Sequence, residues 1–74
     1  MEDYQKRMID EFNELAVKIK KLSDKLQDPD FIKKIGEDKK TLLFAQLGAM
    51  DSYYNILLER IRLEDIKTEK ILFG

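Results

Sequence analysis

Apolar residues recur along the first third of the chain at Tyr4, Met8, Phe12, Leu15, Ile19, Leu22 and Leu26, in steps of three and four. That spacing predicts a helix over about 3–27 with one greasy seam. Glu2 and Asp3 suit its positive end, with Asp3 as the cap, and Lys20, Lys21 and Lys25 suit its negative end. Asp28-Pro29 stops it, because the residue before proline is pushed out of the helical region. A short connecting helix is expected over about 30–35, touching its neighbours through Phe31, Ile32 and Ile35 and ending at Gly36 in a left-handed conformation. A long helix follows over about 38–67, and the tail 68–74 carries Ile71-Leu72-Phe73.

The long helix has two apolar stripes. Leu43, Leu47, Met50, Tyr54, Leu57 and Ile61 form one seam. Leu42, Gln46, Ala49, Tyr53, Ile56 and Arg60 form a second beside it. A helix packed against a single partner keeps one side polar. This one has more apolar surface than two paired helices hide. The expected fold is therefore all-α: an antiparallel helical hairpin with a short connecting helix, one domain over residues 1–74, assembling into a compact homo-oligomer.

Composition narrows the routes to stability. A 74-residue chain has a small core, about 3–5 kcal/mol at this size, and such chains usually carry a staple. With no Cys and no His, disulfides are excluded and a zinc site nearly so. Regular helix packing and self-association remain. Fourteen basic and fifteen acidic residues give a net charge of −1, a poor start for a DNA-binding protein. The charge-poor stretch 41–58 holds Thr41, Gln46, Asp51, Ser52 and Asn55, so no membrane span is expected. Met1-Glu2-Asp3 is acidic where a secretory signal is basic, and a cytoplasmic protein is expected.

Catalytic chemistry finds little to use. His and Cys are absent, Ser23 and Ser52 lie inside helical patterns, and Gly36 and Gly48 make no phosphate loop. Neither an enzyme nor a cofactor is expected. Glu11 and Glu14 share a face, but solvated carboxylates explain them without a metal.

The basic residues are more suggestive. Lys18 and Lys21 share one face of the first helix, and Tyr4 and Arg7 share a face at its other end. A solvated face accounts for any one of these lysines. In an antiparallel contact between two copies, however, Tyr4 and Arg7 of one copy would approach Lys18 and Lys21 of the other. An aromatic platform beside cations is what a base with its phosphate requires. Arg60 closes the second stripe of the long helix. It either snorkels to water or turns inward at an oligomer axis, where converging arginines would need an anion.

Two runs then resemble a known family. They are Tyr4-Gln5-x-Arg7-x-Ile9-Asp10-Glu11-x-x-Glu14-Leu15-x-x-Lys18-Ile19-x-Lys21-Leu22 and Leu42-Leu43-x-x-Gln46-Leu47-x-x-Met50-x-x-Tyr53-x-x-Ile56-Leu57-x-Glu59-Arg60-Ile61. Together they look like the small phage proteins called anti-CBASS protein two. The resemblance implies a helical homohexamer in the cytoplasm of the infected bacterial host. Such a protein would bind and hide cyclic oligonucleotide messengers without cleaving them, so the CBASS effector stays off. By motif match, Tyr4 would stack on a base and Lys18 would meet phosphate in a cyclic dinucleotide pocket, with Arg7 and Lys21 beside them. Arg60 would face phosphates of a cyclic trinucleotide on a threefold axis. Members often carry charged residues where this chain has Phe12, Ala16, Val17 and Phe44, and a small residue in place of Leu58, so this copy is more apolar. A sponge for cyclic ADP-ribose isomers of Thoeris systems and a structural adaptor that binds a protein partner are the competing expectations.

Overall fold

The structure, a computed structural model, describes residues 2–64. Those residues form three helices and no strand: α1 (Asp3–Leu26), α2 (Pro29–Ile35) and α3 (Glu37–Leu63). The expected tail 68–74, and the last turn expected of the long helix at 65–67, lie outside the described residues.

Each helix end has a local cause. At the start of α1 the Gln5 side chain reaches back and accepts the Glu2 backbone N–H at 3.0 Å. Glu2 is therefore the cap and Asp3 the first helical residue, one position earlier than the sequence pattern suggests. At the start of α2 the Asp28 carboxylate accepts the Asp30 N–H at 3.0 Å, with Pro29 as the first helical residue. Gly36 sits between α2 and α3 at φ 85°, ψ 170°. That is a mirrored extended conformation, open to glycine, and it differs from the expected left-handed helical one. It lets a single residue end α2, through its N–H to the Ile32 carbonyl, and start α3, whose Lys40 N–H donates to the Gly36 carbonyl.

The two long helices run antiparallel over the described residues: Tyr4 meets Glu64, Glu11 meets Tyr53, and Phe12 stacks on Tyr54. Met8, Ile9 and Phe12 of α1 pack with Leu57 and Ile61 of α3, and Leu15, Tyr54 and Leu58 close around them. Phe12 and Leu57 have no exposed surface, and fully burying such side chains is worth about 1.5–3 kcal/mol each. The α3 seam read from the sequence is the face turned to α1, with Leu57 and Ile61 buried and Leu43, Leu47, Met50 and Tyr54 half-buried. The α1 seam needs correction. Ile9 and Ala16 are buried, whereas Tyr4 keeps 47% of its surface exposed. A straight helix repeats every 3.6 residues, so its contact stripe drifts away from a strict heptad.

Candidate functional site

The five candidate residues lie on two stripes that the fold sets side by side. On α1, Tyr4, Arg7, Glu11, Glu14, Lys18, Lys21 and Lys25 follow one another in steps of three and four, and all are exposed. On α3, Leu42, Gln46, Ala49, Tyr53, Ile56 and Arg60 do the same, and again all are exposed. Leu42 is 69% and Ile56 57% exposed, so this apolar stripe has no cover within the protomer.

Contacts join the stripes at both ends and in the middle. The Tyr4 hydroxyl donates to Glu64 Oε2 at 3.0 Å, at the C-terminal cap of α3. The Tyr53 hydroxyl donates to Glu11 Oε1. Lys18, Lys21, Leu22 and Lys25 of α1 line a groove of about 240 Å³ with Gln46 and Met50 of α3. Enclosed small-molecule pockets run to about 300–1,000 Å³, so this open groove is one wall of a site at most.

The electrostatics divide along α1. Glu11 and Glu14 occupy the middle of its stripe, and Lys18, Lys21 and Lys25 the end. No described carboxylate lies within 4.0 Å of the Arg7, Lys18, Lys21, Lys25 or Arg60 cation, whereas Lys20, Lys40 and Arg62 are paired with Asp24, Glu37 and Glu59. Hydrogen bonding to Glu64 raises the Tyr4 hydroxyl above its ordinary pKa, with smaller contributions from desolvation and the Glu64 and Glu2 charges. Hydrogen bonding to Glu11 raises Tyr53 in the same way, and the nearby Arg60 charge opposes the rise.

Lys18 and Lys21 thus share a groove, and Tyr4 and Arg7 share the far end of the same stripe. Tyr4 and Lys18 are not brought together within one protomer: from position 4 to position 18 a helix rises about 21 Å. Arg60 stands on the neighbouring stripe, at the level of the first turns of α1. Sequence reasoning passed over Lys25 as a groove residue, although its spacing from Lys18 and Lys21 carries the signal. It also passed over Glu64 as the partner of Tyr4. Sixty positions separate those two, and no local pattern pairs them.

Among the described residues no group of three or more His, Cys, Asp or Glu side chains is placed to hold a metal ion, and no helix is long and apolar enough to cross a membrane.

These features define a small all-helical protein with a lysine-lined groove beside an uncovered apolar stripe. The chain belongs to the Sequestin family, whose model matches residues 2–63 and so spans α1, α2 and α3. No curated protein and no solved structure matches it.

Proposed function

We propose that this chain is a sequestering protein for cyclic oligonucleotide messengers, with its sites formed between copies of itself. The observation that carries the reading is the stripe of α1: an aromatic ring and an arginine at one end, and three lysines without a described carboxylate partner at the other. A second copy of α1 laid antiparallel brings Tyr4 and Arg7 against Lys18 and Lys21. Twofold symmetry then makes the same site twice. Each holds a purine by stacking and a phosphate by charged hydrogen bonds, and a bound phosphate relieves the repulsion among the clustered cations.

The family name, Sequestin, points to sequestration. The resemblance to anti-CBASS protein two supports cyclic dinucleotides as the ligand class, with cyclic trinucleotides meeting Arg60 at a threefold axis. On this reading the antiparallel hairpin assembles into a homohexamer inside the infected bacterial cell. A phage encodes it, it withholds the messenger from the CBASS effector, and it cleaves nothing. Affinity and abundance suffice for such a task, and neither DNA nor a membrane is a partner.

Isothermal calorimetry with a panel of cyclic di- and trinucleotides tests the proposal, with cyclic ADP-ribose isomers in the same panel. Binding is expected, and Lys18→Ala should weaken a cyclic dinucleotide by more than about 1.5 kcal/mol if the lysine holds phosphate. Heat from the ADP-ribose isomers alone moves the ligand to Thoeris signals. No heat with any of them removes the sponge and leaves a second reading, a helical adaptor for a protein partner. The uncovered stripe Leu42, Ala49, Tyr53 and Ile56 is what favours that alternative.

A further inference from the structure

The ring of Tyr4 is exposed, but its hydroxyl is not free. It donates to Glu64 Oε2 at 3.0 Å, and the Gln5 side-chain amide donates to the same oxygen at 3.4 Å. Gln5 in turn accepts the Glu2 backbone N–H through its own Oε1 at 3.0 Å. The first turn of α1 and the capping residue of α3 are therefore one hydrogen-bonded unit. The Glu64 backbone N–H ends α3 by donating to the Arg60 and Arg62 carbonyls, and its carboxylate is held by the Gln5 amide as well as by Tyr4.

We propose that Glu64 is a positioning residue for Tyr4: it anchors the hydroxyl so that the aromatic face is held ready for a base. This rests on the reading of Tyr4 as a stacking platform. The physical reason is conformational entropy. A tyrosine has two side-chain torsions, and tying its far end to a fixed acceptor restricts both before any ligand arrives. A rotamer-rich side chain immobilised on binding weakens affinity by about two- to tenfold, and prior anchoring removes that loss.

The test uses the intact chain, with cyclic di-GMP and cyclic GMP–AMP as probes and calorimetry as the readout. Glu64→Ala and Tyr4→Phe each remove the anchor and are expected to weaken binding about three- to tenfold. The double variant should be no weaker than either single one, because both break the same bond. Glu64→Gln keeps an acceptor for the hydroxyl and should restore binding. Tyrosine-ring NMR of the ligand-free protein supplies an independent readout: the Tyr4 titration, raised in the parent chain chiefly by Glu64, should move down toward the ordinary range in Glu64→Ala. If the parent chain binds neither probe, the functional reading fails and this inference falls with it. If the parent binds and Glu64→Ala with Tyr4→Phe bind equally well, or if the double variant shows the sum of the two losses, the positioning role alone is overturned.

Discussion

The hydroxyl of Tyr53 on α3 donates to the carboxylate of Glu11 on α1, and this bond sets the charged stripe of one helix beside the apolar stripe of the other. The same interaction raises the Tyr53 pKa above 10.0, as Glu64 does for Tyr4. The native state therefore holds these phenolic protons more tightly than the unfolded chain. Their contribution to stability is fully present below the unfolded pKa and is lost as pH rises through the higher folded values. Thermal melts should fall as pH rises past about 10. Tyr53→Phe and Tyr4→Phe should each flatten that fall while leaving the rest of the profile in place.

Phe12 is fully buried and stacks on Tyr54, with ring centroids 4.5 Å apart. Replacing a buried phenylalanine by alanine costs about 3–5 kcal/mol. A chain of this size has about that much to lose. Phe12→Ala should be largely unfolded at 25 °C by circular dichroism, while Phe12→Leu should remain folded with a lower melting temperature.

Ile56 lies on the uncovered α3 stripe, 57% exposed and outside the buried cluster around Phe12. If a second copy covers that stripe, a charge placed there is buried in the interface and opposes assembly. Ile56→Glu is expected to stay helical and to drop to a monomer of 8.8 kDa in light scattering, while the parent chain runs as an oligomer. A monomeric parent at micromolar concentration would remove the assembly from the proposal.

Lys25 enters the groove with Lys18 and Lys21, one turn beyond Lys21. It also sits 5.9 Å from the centre of the Phe31 ring, a contact that steadies the ammonium without neutralising it. Lys25→Ala should weaken a cyclic dinucleotide in calorimetry by about 0.5–1.5 kcal/mol, less than Lys18→Ala. Added salt should shrink the difference between the variant and the parent.

The α3 seam was legible because a long helix with regular spacing leaves little choice of inner face: Leu57 and Ile61 are the residues its pattern points inward. Tyr4 was misread as a seam residue because its position extends the heptad one step past the buried stretch. The fold instead buries Ile9, whose place only the drift of a straight helix explains. Tyr4, Lys18 and Arg60 are candidates by residue type and by spacing along single helices. Their arrangement as two adjoining stripes depends on how α1 and α3 are rotated against each other, which the Tyr53–Glu11 and Tyr4–Glu64 bonds report and no run of neighbouring residues encodes. Glu64 is the clearest case, since its partner lies at the opposite end of the chain.

Arg60 tests whether the two stripes serve one ligand or two. It is exposed, no described carboxylate lies within salt-bridge distance of it, and its charge acts on Tyr53 across the α3 stripe. It does not line the lysine groove. If symmetry copies of Arg60 converge at an axis, they repel one another until an anion enters, and the ligand that satisfies them needs as many phosphates as there are copies. Arg60→Ala should then weaken a cyclic trinucleotide by more than about 1.5 kcal/mol and leave cyclic dinucleotides unchanged. It should also stabilise the unliganded assembly slightly in thermal melts, because the repulsion is gone. Equal losses for both ligands in calorimetry would place Arg60 in the same pocket as Lys18, and no loss for either would make it a solvated charge at the edge of the stripe.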